Sequence, residues 1–137
     1  MTANIVYEGD LHTVAIHYTS QSIIETDAPI DNRGKGERFS PTDLMATALG
    51  SCMLTVMGIK ARELGINIKD ATASIEKIMI TNPRRIGEIK VHIHFPAHIM
   101  VDEKQKAILE RTALNCPVHK SLHPDIKCDI VFKWEGI

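Results

Sequence analysis

The stretch Ser40-Pro41-Thr42-Asp43-Leu44-Met45-Ala46-Thr47-Ala48-Leu49-Gly50-Ser51-Cys52-Met53 decides how this chain folds. Ser40 is a good helix N-cap, and Pro41 suits the first helical position, where a missing N–H is harmless. Asp43 completes an S-x-x-D capping box. Downstream, Gly65 after Leu64 stops the helix, and Ile66 can make the hydrophobic contact that accompanies such a stop. Between these signals Met45, Leu49, Cys52 and Val56 form one stripe, widened by Leu44, Ala48 and Met53. Apolarity on nearly every side predicts a central, buried helix. The small residues Ala46, Ala48, Gly50 and Ser51 let another backbone approach closely.

Upstream, the sequence reads as short strands. Asn4–Tyr7 and Thr13–Tyr18 flank the turn-like Glu8-Gly9-Asp10, and Ser22–Glu25 follows. From Thr26 to Ser40 the pattern is lost among Asp27, Pro29, Asp31, Asn32, Gly34 and Gly36. A connection of this length is often functional, and it carries Arg33, Lys35, Glu37 and Arg38 directly ahead of the cysteine helix. Downstream, strands are predicted at about Asp70–Thr81 and Glu88–Phe95, joined through Asn82-Pro83-Arg84-Arg85. In the second, Ile89, Val91, Ile93 and Phe95 alternate with Lys90, His92 and His94, as in a half-buried strand. An amphipathic helix over Asp102–Leu114 is capped by Asp102, with Gln105 three residues on. Asn115-Cys116-Pro117 opens a short helix that Pro124 ends, and Lys127–Trp134 is a closing strand.

Composition bounds what this arrangement does. The chain has 137 residues, 44% hydrophobic, enough for a single domain over 1–137 with a core of its own. With 4% aromatics that core rests on Ile, Val, Leu, Ala and Met. The 16 basic and 17 acidic residues leave a net charge of −1. No basic stripe with interleaved aromatics appears, which argues against nucleic acid as a partner. Met1-Thr2-Ala3-Asn4-Ile5 lacks the basic start and apolar run of a signal peptide. The uncharged run from Leu44 to Ile59 is short for a membrane span of roughly 20 residues. Three widely spaced cysteines do not make a secreted disulfide framework. The expectation is a soluble, cytoplasmic domain without a membrane partner.

Two cysteines carry the chemistry. A lone cysteine on an apolar helix is ordinarily core material, but Cys116 changes the weighing for Cys52. As an N-cap before Pro117, Cys116 puts its sulfur among unpaired helix N–H groups, which favours thiolate. Cys52 lies well inside its own helix and needs a nearby cation, which the preceding loop offers in Arg33, Lys35 and Arg38. Cys128 reads as core or strand-face. The i, i+3, i+7 spacing of Cys116, His119 and His123 is compatible with zinc, and His92 and His94 share a strand face. Solvated polar faces explain both groups better, so no metal or cofactor is expected. A hydrolase dyad of Cys52 with one of these histidines has no supporting motif.

The run Phe39-Ser40-Pro41-Thr42-Asp43-Leu44 through Ala48-Leu49-Gly50-Ser51-Cys52, followed by Asn115-Cys116-Pro117-Val118-His119-Lys120-Ser121-Leu122, resembles the OsmC/Ohr superfamily. Those are the osmotically inducible and organic hydroperoxide resistance proteins. The resemblance spans nearly the whole chain and is strongest to the OsmC-like branch, whose Gly-Glu-x-Phe-Ser-Pro-Thr-Asp-Leu entry is matched by Gly36 to Leu44. It implies an α+β, OsmC-like fold with antiparallel sheets wrapped around a long cysteine-bearing helix, in an intertwined homodimer. It implies a thiol peroxidase in which Cys52 attacks an organic hydroperoxide and Cys116 resolves the resulting sulfenic acid to a disulfide. A dithiol reductant, lipoyl-type in the Ohr branch, would reopen that disulfide.

The family's activating pair is an arginine with a carboxylate. Thr42 stands where the family has a helix-entry glutamate, which leaves Glu37 and Asp43 as the carboxylate candidates. Arg33 lies one residue from the family's arginine position, with Arg38 as the alternate. Two other classes stay open: a module that binds a small hydrophobic ligand, and a redox sensor whose disulfide is a signal.

Overall fold

A computed structural model describes residues 1–136. They fall into two compact units, Met1–Met45 and a second from Ala46 onward.

The first unit is a three-stranded antiparallel sheet in the order β1(Ala3–Gly9), β2(His12–His17), β3(Ile23–Asp27). The predicted Glu8-Gly9-Asp10 turn lies two residues later, because Asp10 and Leu11 both take left-handed φ, 53° and 61°. That pair of positive φ values suits the right-handed twist of a hairpin. After β3 a short 3-10 turn, Ile30–Asn32, interrupts the loop. The Asn32 and Gly34 N–H groups both donate to the Pro29 carbonyl at 2.9 Å. A side chain at Gly34 would overlap the Ala28 carbonyl, so this coil tolerates only glycine there.

α1(Pro41–Glu63) starts and stops where its sequence signals place it. The Asp43 N–H donates to Ser40 Oγ and the Ser40 N–H to Asp43 Oδ2, each at 3.0 Å. At the other end Gly65 has φ +72°, the Ile66 N–H reaches the Ala61 carbonyl at 2.8 Å and the Gly65 N–H that of Arg62 at 3.2 Å. This is the Schellman arrangement. The helix is long and apolar enough to cross a membrane by length and composition, longer than the uncharged run alone suggests.

The buried stripe of α1 differs from the expected one. Ala46, Leu49, Gly50, Met53, Met57 and Ala61 are buried, Cys52 and Val56 are half-buried, and Met45 and Ala48 are exposed. A helix apolar all round has no moment to select its inner face, so neighbouring surfaces choose it. Gly50 fits against the next strand: a Cβ there would lie 2.5 Å from Ile75 Cδ1.

The second sheet has the order β4(Thr72–Ile80), β5(Arg85–Phe95), β6(Lys127–Trp134). β4 and β5 are antiparallel, with Gly87 bulged out of register between Glu88, which faces Ile78, and Ile86, which faces Met79. The extra residue moves the buried face from Ile86 to Ile89, Val91, Ile93 and Phe95. The expectation of antiparallel sheets fails at β6, which pairs with β5 in parallel, Ile89 opposite Cys128 and Phe95 opposite Trp134. A parallel neighbour needs a crossover, and the chain supplies one through α2(Glu103–Leu114) and α3(Pro117–Ser121). α2 is opened by the Asp102/Gln105 capping box. Trp134 stacks on Phe95 with centroids 3.6 Å apart and donates from Nε1 to Glu110 of α2 at 2.9 Å.

The apolar core lies wholly in this second unit. Leu49, Met53, Met57, Ile89, Val91, Ile93, Phe95, Ile99, Leu109 and Cys116 are its fully buried larger side chains.

Candidate functional site

Cys52 and Cys116 meet in the second unit. Residues on one face of α1 bring Cys52, half-buried, to the edge of the core. Cys116 follows the crossover helix α2 and caps α3, and its side chain is fully buried. Its Sγ accepts the His119 N–H at 3.3 Å, and Cys52 is near enough to act on its titration. Both thiols are free.

Placement reverses the expected titration of Cys116. Burial pushes its thiol above the ordinary value, the His119 N–H opposes the rise, and Cys52 adds to it. The N-cap donor predicted from sequence is present, but it is outweighed by the loss of solvent, which the sequence does not display. A thiol held up in this way keeps its proton at neutral pH. Cys128, on the covered face of β6, is half-buried and is also raised by burial.

The expected activating residues belong to the first unit. Arg33 ends the 3-10 turn in a left-handed conformation, φ 68°, with an exposed side chain. Glu37 is exposed as well. Asp43 is engaged in the capping box of α1, the bland role that its sequence context favoured. Arg38 donates from Nε to Glu25 Oε2 at 3.3 Å, an ion pair with the third strand.

The histidine groups resolve into separate local roles. His119 Nδ1 donates to the Leu114 carbonyl at 2.9 Å, and His94 Nε2 lies 3.0 Å from Glu135 Oε1. No group of metal-ligating side chains with suitable geometry occurs among the described residues. Sequence reading missed His12, whose ring sits among Glu8, Glu25 and Asp27. His12 lies on β2 and its partners on β1 and β3, so only a correct strand register would have brought the group together. A cavity of about 640 Å³ opens at the C-terminal end of α1, walled by Leu54, Ile59, Ile66 and Ile68 with Arg62 at its rim. Neither Cys52 nor Cys116 lines it.

Residues 34–131 match the family model described as OsmC-like protein. The chain belongs to that family. A protein from Psychrobacter arcticus 273-4, described as a proposed osmotic stress induced and detoxification response protein, shares 51% identity and superposes with a TM-score of 0.91, over 96% of this chain and 95% of that one. Two more distant OsmC-like folds extend the comparison. The organic hydroperoxide resistance protein OsmC of Legionella pneumophila is 14% identical with a TM-score of 0.75, over 97% of both chains. The organic hydroperoxide resistance protein OhrB of Bacillus subtilis is 16% identical with a TM-score of 0.67, over 97% of this chain and 98% of that one. At those identities the likeness is one of fold. No curated protein sequence matches.

Proposed function

We propose that this OsmC-like protein is a thiol-dependent peroxidase that reduces organic hydroperoxides to alcohols. The observation supporting it is the pairing of half-buried Cys52 with fully buried Cys116, whose thiol burial keeps protonated. Cys52 is then the sulfur that reacts first. Its thiolate attacks the distal peroxide oxygen, the O–O bond breaks, and the alkoxide leaves as an alcohol after taking up a proton. Cys52 is left as a sulfenic acid. Cys116 attacks that sulfur, the S–S bond forms, and hydroxide departs as water with the proton that Cys116 held. The two electrons lost by the thiol pair are returned by a dithiol of the lipoyl type.

Arg33, paired with Glu37 or Asp43, is proposed from the family resemblance as the activating group for Cys52. We also propose a homodimer. Its support is the first sheet, where Ile5, Tyr7 and Ile23 are 66%, 63% and 62% exposed in the single chain. Apolar side chains exposed to that degree on a small sheet mark an interaction surface.

Peroxide consumption driven by dithiothreitol or dihydrolipoamide tests the function. Wild type should consume cumene hydroperoxide at least about tenfold more efficiently than hydrogen peroxide, which needs about 1.4 kcal/mol. An apolar tail can supply that at about 0.8 kcal/mol per buried methylene. Cys52→Ser should abolish consumption. Cys116→Ser should allow one oxidation of Cys52 and no disulfide, while wild type treated with one equivalent of peroxide should show a Cys52–Cys116 link by mass spectrometry. A Cys128 linkage, or equal rates with both peroxides, would count against the assignment.

A second reading, binding of a small hydrophobic ligand, is favoured by the cavity beside Leu54, Ile59, Ile66 and Ile68. Absence of turnover with either dithiol, together with saturable uptake of an apolar probe, would select it.

A further inference from the structure

The first unit contains a charged cluster that the sulfur chemistry leaves unused. His12, on β2, directs Nδ1 at Asp27 Oδ1, 2.6 Å away, and Nε2 at Glu25 Oε1 and Glu8 Oε1, 3.3 and 3.6 Å away. Glu8 lies on β1, while Glu25 and Asp27 lie on β3. Each ring nitrogen therefore faces an oxygen that can only accept. A neutral imidazole donates from one nitrogen and turns a lone pair toward the other carboxylates. Only the imidazolium satisfies both sides.

The strand residues that hold His12 also meet the loop that follows. The Asp27 carboxylate is 6% exposed, and its own N–H donates to the Phe39 carbonyl at 3.2 Å. The Ala28 N–H donates to Leu11 at 3.0 Å, fastening the start of the loop to the β1–β2 turn. Glu25 spends its second oxygen on Arg38 Nε at 3.3 Å, near the end of the loop. Asp10 from the turn, with Lys35 and Glu37 from the loop, completes the charged lining of the same cleft of about 360 Å³.

We propose that His12 is a proton-operated latch: as imidazolium it fastens residues 28–39 to the β1–β2 hairpin, and on losing its proton it releases them. Neutral His12 leaves Glu8, Glu25 and Asp27 facing one another, with Arg38 on Glu25 as the remaining cation in contact with them among the described residues. Hydrogen bonding to Asp27 raises the His12 pKa above its ordinary 6.5, against a smaller desolvation effect and with further help from Glu25. The sign follows from linkage. A raised pKa in the folded state gives a contribution fully present below 6.5 and lost as pH rises through the raised value. Alkalinisation opens the latch. The loop it frees carries Arg33 and Glu37, but the latch itself does not depend on the peroxidase reading.

Nuclear magnetic resonance on the full chain tests it without any activity assay. The His12 ring resonance and the amide protection of Ala28, Gly34 and Gly36 are followed from about pH 5.5 to about pH 9, across the range where histidine titrates. Protection is corrected for the intrinsic pH dependence of exchange, and β5 amides serve as the internal reference. We expect His12 to titrate above 6.5, and loop protection to fall with it by roughly tenfold, the scale of one charge-assisted hydrogen bond. His12→Gln should give weak, pH-independent protection. Asp27→Asn should move the ring titration and the loop transition together to lower pH. A His12 titration at or below 6.5 overturns the latch. So does loop protection that ignores pH, or a loop transition in Asp27→Asn that stays put while His12 moves.

Discussion

The two sheets of this protein invert one another's burial. In the second unit β5 buries Ile89, Val91, Ile93 and Phe95, and the polar residues of the strand face outward. In the first unit the buried residues are Thr26, Asp27 and Ser40, while Ile5, Tyr7, Ile23 and Ile24 are exposed. One sheet is held by an apolar core and the other by hydrogen bonds and charge, through Asp27 with His12 and Thr26 with Thr13. Few apolar contacts and many polar ones define a region of low local stability that responds to pH and to whatever covers it. The contrast explains why the thiol pair and the proton latch lie in different units. Sulfur chemistry wants a dry, fixed setting; a latch wants groups that water and protons reach.

Core truncation should separate the units most sharply. Leu49→Ala removes a fully buried side chain of the second unit and should cost about 2–5 kcal/mol by denaturant unfolding. A loss below about 1 kcal/mol would mean that the core repacks freely and that the contrast between the sheets is shallow. Next in size is the double change Ile5→Ser with Ile24→Ser, two exposed residues of the first sheet. It should shift light scattering from dimer toward monomer, and change the unfolding free energy of the monomer by no more than about 0.5 kcal/mol per site. Unchanged dimers would direct attention to another face. Most local is Ser40→Ala, which removes the cap of α1 and should cost about 0.5–2 kcal/mol. Amide exchange should locate that loss in the first turn of α1, leaving β5 protected.

The legible parts of the fold are those with local punctuation. Ser40, Pro41 and Asp43 mark the start of α1, Gly65 and Ile66 its end, and Asp102 with Gln105 the start of α2. The alternation of Ile89, Val91, Ile93 and Phe95 gives the inner face of β5 directly. The pairing of Cys52 with Cys116 follows from the family motifs rather than from spacing. What stayed hidden depends on distant partners. The parallel docking of β6 leaves no mark on Lys127–Trp134, because each strand alternates alike in either direction. The inner face of α1 was displaced by about one residue from expectation, since Met45 and Ala46 are equally apolar in sequence and only packing distinguishes them. The raised Cys116 thiol comes from burial, and the His12 cluster from register; neither is a local property.

Parallel docking of β6 also sets when the thiol site comes into being. Cys116 rides on the return path between β5 and β6, whereas Cys52 is made early, on a helix with its own start and stop. Pairing of sequence-distant strands is slow, because the intervening chain must be closed before any contact rewards it. A chain emerging from the ribosome therefore carries Cys52 for some time without its neighbour. An oxidant met in that interval would, on the proposed chemistry, leave a sulfenic acid without Cys116 to capture it, free to proceed to the irreversible acids. On the proposed chemistry, tolerance of repeated oxidation is acquired only when β6 has zipped along β5, so the newest molecules in a stressed cell are the ones most easily lost.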